Sequence, residues 1–401
     1  MSLQDTPGGE RTHIAFFGVR NAGKSSLVNA FTGQTLSVVS DVKGTTTDPV
    51  RKTMELLPLG PVVVIDTPGM DDEGALGAKR VETAKRVLGE TDVAVLVTDA
   101  KSGLTDADRS LIALLEVRGK PFLIAANKAD TLAAVPPDTG NSVYVSALTG
   151  YGVKTLKERV ASLGMREGEE RYILRDLVEP YDTVLLVIPV DKAAPKGRLI
   201  LPQQQTLREL LDLGCIPVCC RETELARTLE KLTLPPKLVV TDSQVFGAVN
   251  AVLPPDVPLT SFSILFARYK GTLGMLTAAR DDLDRLRDGD TVLIAEGCTH
   301  HRQCGDIGTE KLPKWIGAYT GKKLNFTFTS GREFPETFEN AALVVHCGGC
   351  MLNEAEMKDR FRRAREAGVP FVNYGAVIAA VHGILDRALA PIRNAERRDS
   401  K

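Results

Sequence analysis

The sequence predicts an α/β protein made of successive blocks of parallel sheet and helix. Two observations lead to this fold class. Short continuous apolar runs alternate with helical stretches along the chain, and glycine-rich or polar residues directly follow several of those runs. Continuous apolar runs indicate strands that are buried on both faces, as in a parallel sheet covered by helices. A length of 401 residues suits two or three domains of roughly 150 residues each.

The composition narrows the classes of function. Lys plus Arg (50) nearly balances Asp plus Glu (51), so no overall field points to a nucleic acid or a membrane. Residues 1–12 are polar and do not resemble a signal peptide, and apolar runs such as 184–190 are far shorter than the roughly 18 residues of a membrane helix. Seven cysteines, clustered late in the chain with a Cys-x-x-Cys, favour metal or redox chemistry over disulfides. We therefore expect a soluble, cytoplasmic protein.

The first block, residues 1–168, predicts strands at 13–17, 62–66, 93–98, 122–126 and 143–145. A Gly-x-x-x-x-Gly-Lys-Ser loop, residues 18–25, lies between the first strand and a helix over 24–31. Such a loop wraps phosphates with backbone N–H groups at a helix N-terminus. Lys24 would reach the β- and γ-phosphates, and Ser25 would offer its hydroxyl to Mg²⁺. The loop alone leaves ATP and GTP open.

Further motifs favour GTP. The residues 127–130 read Asn-Lys-Ala-Asp after one strand, and Ser146-Ala147 follows the next. Asp130 can accept hydrogen bonds from N1–H and the 2-amino group of guanine, whereas adenine would leave that carboxylate unpaired. The block is therefore predicted to be a P-loop GTPase domain. The candidate nucleotide-binding residues are Asn21, Ala22, Gly23, Lys24, Ser25, Ser26, Thr46, Asp66, Gly69, Asn127, Lys128, Asp130, Ser146 and Ala147, with Lys24, Thr46, Asp66 and Gly69 as candidate catalytic residues.

The segments Gly-Thr-Thr (44–46) and Asp-Thr-Pro-Gly (66–69) resemble the TrmE-Era group of GTPases. The resemblance implies that Thr46 closes on Mg²⁺ and the γ-phosphate and that Asp66 holds Mg²⁺ through water. Met70 stands where many GTPases have a glutamine that orients the attacking water. Asn21 occupies the position that ligates K⁺ in potassium-activated members. We therefore expect slow, K⁺-stimulated hydrolysis.

The rest of the chain predicts two smaller parallel α/β domains. In residues 169–270 we expect strands at 184–190, 216–220, 238–241 and 261–267. In residues 271–401 we expect strands at 291–295, 325–329, 342–346 and 370–373. We expect helices at 275–286, 353–367 and 377–389, and the basic run 358–365 predicts a solvated helix face.

Cysteines follow two strands of the third block. Cys298 comes shortly after strand 291–295, and Cys347 directly after strand 342–346, with Cys350 close behind. Open α/β sheets bind ligands at the carboxyl ends of their strands. The three thiols with His300 or His346 would complete a zinc site. Three thiolates could instead hold a 4Fe-4S cluster with one exchangeable ligand, and buried core cysteines are the third reading.

Two features near these thiols extend the prediction. Asn353 with Glu356 resembles a capping box, and that helix N-terminus would favour thiolate. Cys304 is an extra thiol in the loop after Cys298; it is either a spare ligand or a plain loop residue.

The GTPase motifs, Cys-x-His at 298–300 and His-Cys-x-x-Cys at 346–350 together resemble the FeFe-hydrogenase maturation GTPase family over the whole chain. The resemblance implies a scaffold with a middle dimerisation domain and a 4Fe-4S cluster on Cys298, Cys347 and Cys350. It also implies His300 and His346 as candidate labile ligands. Such a scaffold receives a di-iron precursor from radical-SAM maturases and delivers it to apo FeFe-hydrogenase.

Two alternatives remain at this point. One is a TrmE-Era GTPase of RNA modification or ribosome assembly with a structural zinc site. The near-neutral charge and the lack of a basic stripe interleaved with aromatics argue against it. The other is a redox-sensing GTPase whose cluster reports oxygen or iron.

Overall fold

The structure is a computed structural model that describes residues 6–34, 49–69, 74–165, 172–190, 199–272, 274–298, 306–331 and 333–399. The chain forms two compact units. The first comprises Met1–Gly168 with Asn353–Glu356, and the second comprises Glu169–Leu352 with Met357–Lys401.

The first unit has one mixed sheet in the order β2-β3-β1-β4-β5-β6, in which β2 alone runs antiparallel, to β3. Its strands are β1 (Thr12–Phe17), β2 (Val50–Leu56), β3 (Gly60–Asp66), β4 (Val93–Asp99), β5 (Phe122–Asn127) and β6 (Ser142–Tyr144). The sequence analysis missed β2. This strand lies at the sheet edge and buries only Leu56, so it has no apolar run to reveal it.

Helices cover both faces of this sheet: α1 (Lys24–Thr32), α2 (Gly74–Glu90), α3 (Asp106–Val117) and α4 (Val153–Gly164). Ile14 and Phe16 of β1 face a core that includes Phe31 of α1. Ala15 and Phe17 face the opposite core, which α2 and α3 complete. Burial on both faces is the reason that β1 reads as a continuous apolar run.

The second unit contains two fully parallel sheets. The first has the order β10-β9-β7-β8. Its elements are β7 (Thr183–Val187), α5 (Leu201–Asp212), β8 (Ile216–Cys220), α6 (Leu225–Lys231), β9 (Leu238–Thr241), α7 (Phe246–Val252), β10 (Leu259–Ser261) and α8 (Phe262–Tyr269).

The other sheet has the order β12-β11-β13-β14. Its elements are α9 (Gly274–Thr277), α10 (Ala279–Asp284), β11 (Thr291–Ala295), α11 (Leu312–Thr320), β12 (Asn325–Thr329), β13 (Ala341–His346), α12 (Glu354–Glu366), β14 (Phe371–Asn373), α13 (Tyr374–Val381) and α14 (Leu385–Asp399). A π-helical turn, Ile307–Lys311, precedes α11. A single buried apolar cluster runs through both sheets of this unit. The architecture confirms the predicted fold class.

Three predicted elements were wrong. The strand at 261–267 is the end of β10 followed by α8, whose N-cap is Ser261. A short apolar run buried on all sides does not distinguish strand from helix. The helix at 377–389 is two helices separated at Gly383, which has a φ of 70°, and the helix at 275–286 is divided at Ala278. Within the described residues, no helix is both long and apolar enough to cross a membrane.

Candidate functional site

The phosphate loop joins β1 to α1 and needs glycine at two positions. Gly23 caps α1 with a φ of 81°, and a Cβ there would lie 2.4 Å from Asn127 Nδ2. A Cβ on Gly18 would lie 2.3 Å from the carbonyl oxygen of Val97. Neither position accepts a side chain, so the loop brings backbone close to the strand ends and leaves its N–H groups at the start of α1.

Asp66, at the end of β3, links the two functional side chains of α1. Lys24 Nζ donates to Asp66 Oδ1 at 2.7 Å, and Ser25 Oγ donates to Asp66 Oδ2 at 2.6 Å. A buried carboxylate beside a hydroxyl is an oxygen donor set of the kind that Mg²⁺ takes together with nucleotide phosphates. The predicted residues therefore meet in one place and fit the cation.

Asn127 joins the phosphate loop to the loop after β6. Its Nδ2 donates to the Ala22 carbonyl at 2.9 Å, and its Oδ1 accepts from the Ala147 N–H at 3.0 Å. The part of the site that is predicted to bind the guanine base also contains a hydrogen bond, in which Ser146 Oγ donates to the Asp130 carboxylate.

Lys128, in the same part of the site, forms an ion pair with Asp99. Its Nζ donates to Asp99 Oδ2 at 2.8 Å, and this hydrogen bond holds the pKa of Asp99 below its usual value. Asn21 is exposed with a φ of 63°, and Ser26 is exposed on α1. Thr46 and Met70 lie outside the described residues.

In the second unit, the register of neighbouring strands brings the cysteines together. Ala295 of β11 pairs with His346 of β13, and the Cys347 N–H donates to the Ala295 carbonyl at 3.0 Å. Cys347 Sγ accepts backbone N–H groups from Gly297 at 3.0 Å and from Gly349 at 3.4 Å. The turns after β11 and β13 therefore share one sulfur as acceptor, and such N–H groups stabilise a thiolate.

Gly349 holds the turn that follows Cys347. It has a φ of 64°, and a Cβ there would lie 2.4 Å from Met357 Sδ. Only glycine fits this position without displacing Met357. The turn carries Cys350 back towards Cys347 and Cys298, so that the negative charges of the three thiolates would repel one another.

The thiols are protonated in the metal-free protein. Burial, followed by the neighbouring Cys347 and Cys350, raises the pKa of Cys298 to about 12. Burial and Cys347 likewise raise the pKa of Cys350 to about 12, and burial raises the pKa of Cys347. Desolvation is the largest cause of all three shifts. Asn353 does cap α12, accepting from the Glu356 N–H at 3.1 Å.

His346 is not placed as a metal ligand, which corrects the sequence prediction. It is fully buried, its Nδ1 bonds to the Cys347 carbonyl at 2.8 Å, and Arg360 Nη1 donates to its Nε2 at 3.0 Å. Both ring nitrogens are therefore engaged. Burial and the Arg360 charge lower the pKa of His346 to about 3, so the ring is neutral. It supports the backbone of Cys347 instead of facing a metal.

Arg360 was expected on a solvated helix face but is 1% exposed. It also donates to the Gly331 carbonyl at 2.6 Å and lies over the Phe334 ring, 5.0 Å from its centroid. Spacing on α12 places Arg360 one turn after the buried Met357, and this periodicity is the signal that could have identified it.

Glu296 is the other functional candidate that the sequence analysis missed. It follows β11 directly, as Cys347 follows β13, and it is buried. A charged residue directly after a buried strand was the available signal.

Within the described residues, no group of His, Cys, Asp and Glu side chains is arranged to hold a single metal ion. His300 and Cys304 lie outside those residues. The ligands of a structural zinc ion must converge on one point, whereas those of a 4Fe-4S cluster bind different irons.

Three protein-family models match consecutive parts of this chain. Residues 13–128 match the 50S ribosome-binding GTPase model. Residues 173–271 match the hydrogen maturase F dimerization domain, and residues 274–391 match the hydrogen maturase F tetramerization domain. The chain belongs to the hydrogen maturase F family. As a family member it carries an N-terminal GTPase domain followed by the family's two oligomerisation domains.

Curated relatives resemble the GTPase domain. The tRNA modification GTPase MnmE of Synechococcus sp. is 36% identical over 158 residues, which cover 37% of this chain and 33% of that protein. GTPase Der of Kosmotoga olearia is 33% identical over 166 residues, covering 37% of each chain. The hydrogen maturase F chain thus spans about a third of the length of these relatives.

Among solved structures, Era in complex with MgGDPNP and a segment of 16S ribosomal RNA is 22% identical. The match covers 52% of this chain and 91% of that one, with a TM-score of 0.35.

Proposed function

We propose that this hydrogen maturase F chain is a GTP-hydrolysing, cytoplasmic scaffold for the assembly of FeFe-hydrogenase. It binds a 4Fe-4S cluster through Cys298, Cys347 and Cys350, receives a di-iron precursor from radical-SAM maturases, and delivers it to apo FeFe-hydrogenase. We assign residues 1–168 to the GTPase domain, 169–270 to a dimerisation domain and 271–401 to the cluster-binding domain.

One observation carries the cluster proposal. Cys298, Cys347 and Cys350 follow β11 and β13 closely enough that the charges of Cys347 and Cys350 act on Cys298, and backbone N–H groups from both turns reach Cys347 Sγ. Three partly buried thiols with raised pKa values are unfavourable as thiolates unless a cation compensates their charge. A bound cluster with three protein ligands supplies one iron whose remaining ligand can exchange.

The chain's own residues shape that site. The Cys347 backbone is held by His346 and, through it, by Arg360. The turn at Gly349 sets the spacing between Cys347 and Cys350. These contacts orient the sulfurs before the metal arrives.

Anaerobic reconstitution of the full chain with iron and sulfide tests the cluster proposal. We expect about four irons per chain by the proposed stoichiometry, brown absorption, and loss of both on Cys298→Ser, Cys347→Ser or Cys350→Ser. Cys219→Ser is the matched control, since Cys219 is an exposed thiol on β8. Colourless protein with stoichiometric zinc would contradict the proposal. Carbon monoxide or cyanide bands in the infrared spectrum, after incubation with the maturases, distinguish a carrier from a redox sensor.

The GTPase domain is proposed to bind GTP through the residues of its loops, with Ser25 and Thr46 on Mg²⁺ and Asn21 on K⁺. Lys24, Thr46, Asp66 and Gly69 are proposed to act in hydrolysis. The Lys24–Asp66–Ser25 contacts place a positive charge and a hydroxyl at the start of α1, where phosphates bind.

Steady-state hydrolysis in K⁺ and in Na⁺ tests the role of Asn21. We expect faster hydrolysis in K⁺ and loss of the difference in Asn21→Ala. Asn141→Ala, on an exposed loop of the same domain, is the control. Equal wild-type rates in the two salts would refute the K⁺ site.

A further inference from the structure

Three adjacent strands of the sheet β12-β11-β13-β14 are each followed directly by a side chain that can form hydrogen bonds or bind metal. Ala295 pairs with His346, and His346 pairs with Asn373, so the next residues along the chain lie side by side. These are Glu296 after β11, Cys347 after β13 and Tyr374 after β14. Only Cys347 among them belongs to the proposed ligand set. Glu296 and Tyr374 are nevertheless buried, at 5% and 7% exposure.

The Tyr374 hydroxyl is buried without a hydrogen-bond partner among the described residues. Buried tyrosine hydroxyls normally find a partner, because an unpaired polar group in the interior is destabilising. A polar group kept in this state next to a proposed cofactor site indicates a partner that arrives with the cofactor.

Gly308 lies against the Tyr374 hydroxyl. A Cβ on Gly308, in the π-helical turn before α11, would lie 2.6 Å from Glu296 Oε1 and 2.8 Å from Tyr374 Oη. Both oxygens therefore lie directly over the Gly308 backbone. Any larger residue would have to displace them, so glycine lets the two oxygens come close to this turn.

The Tyr374 hydroxyl also lies near the thiols. The charges of Cys347 and Cys298 both act on the Tyr374 hydroxyl, after the larger effects of burial and of Glu296. All of these effects raise the pKa of Tyr374, so the phenol keeps its proton and is a hydrogen-bond donor.

We propose that Tyr374 is a positioning residue that donates a hydrogen bond to the non-cysteine ligand of the cluster. The ligand belongs to the class of small hydrogen-bond acceptors. This inference rests on the proposed function, namely that the cluster binds at the three cysteines. A donor aimed at a cluster or its ligand stabilises the more negative, reduced state and so raises the reduction potential.

The test uses the full chain, reconstituted anaerobically, in wild-type, Tyr374→Phe and Gly308→Ala forms. Tyr374→Phe removes the hydroxyl and keeps the ring, and Gly308→Ala keeps the hydroxyl but displaces it. The matched controls are Tyr319→Phe, whose hydroxyl donates to Asp284 on the same domain, and Gly317→Ala, whose Cβ would have no neighbour within 4 Å. Iron content, reduction potential by EPR-monitored titration, and deuteron coupling after exchange into D₂O are measured.

We expect both site variants to retain wild-type iron, to shift the potential to more negative values, and to lose a strongly coupled exchangeable deuteron. Both controls should match wild type. A loaded Tyr374→Phe protein with wild-type potential and deuteron coupling would overturn the inference. So would a folded Tyr374→Phe protein without iron, because one such hydrogen bond is not needed for three thiolates to hold the cluster.

If circular dichroism shows that Tyr374→Phe does not fold, Gly308→Ala decides by the same two spectroscopic readouts. A wild-type chain that binds no iron refutes the proposed function. If the wild-type chain binds iron and the variants have the wild-type reduction potential and deuteron coupling, only the role of Tyr374 is refuted.

Discussion

Asn127 connects the two loops that are proposed to hold GTP, and its replacement gives a quantitative test of the site. In Asn127→Ala, the Ala22 carbonyl and the Ala147 N–H would each lose a partner now at 2.9 and 3.0 Å. At about 1 kcal/mol for each group, the free energy of unfolding of the GTPase domain should fall by about 2 kcal/mol. GTP affinity should fall about tenfold, or about 1.4 kcal/mol, because the two loops are no longer held together before binding.

Asn127→Asp sharpens this test. The substitution retains the acceptor for Ala147 but places a carboxylate oxygen where Nδ2 lies, 2.9 Å from the Ala22 carbonyl and 3.4 Å from that of Gly23. Asn127 is almost fully buried, so this repulsion is poorly screened. Asn127→Asp should therefore lower the free energy of unfolding and the GTP affinity more than Asn127→Ala does. Titration with a fluorescent GTP analogue and calorimetric unfolding measure both effects, with Asn141→Ala as the control. An aspartate variant that binds GTP as tightly as wild type would refute the reasoning.

Two further predictions concern the second unit. In the metal-free protein, Cys298 and Cys350 should be alkylated slowly at pH 7, and the rate should rise about tenfold per pH unit, because their thiolate fraction rises towards a pKa of about 12. Mass spectrometry follows their alkylation beside that of the exposed Cys219. If all three cysteines react at the same rate at pH 7, the raised pKa values of Cys298 and Cys350 are contradicted. Ile216 is half exposed on β8, at the edge of its sheet. Ile216→Lys should therefore convert the proposed dimer to a monomer in analytical sedimentation, whereas Leu234→Lys, on an exposed loop, should not. If the Ile216→Lys protein is still a dimer, this sheet edge is not the interface.

Much of the fold could be predicted from sequence because its strands are short, apolar and buried on both faces. Strands β8, β9, β11 and β12 have the predicted bounds. Prediction failed where the local pattern was ambiguous: the run at 261–267 is apolar in either conformation, and only the packing around α8 makes it a helix.

The sites show the same division. The phosphate loop and the cysteine turns were found because their chemistry depends on neighbouring residues in the chain. His346 was misassigned because its partner Arg360 lies on another element, and a hydrogen bond between them leaves no trace in spacing.

The sequence by itself determined that this chain joins a phosphate-binding loop to a set of late cysteines, since both follow from residues adjacent in the chain at the ends of apolar strands. Only the tertiary structure decided which side chains are buried together: the pairing of His346 with Arg360, the protonated state of the thiols, and the contact of Tyr374 and Glu296 with the Gly308 backbone. Burial and strand register are properties of the folded chain, because they depend on which distant segments pack against each other.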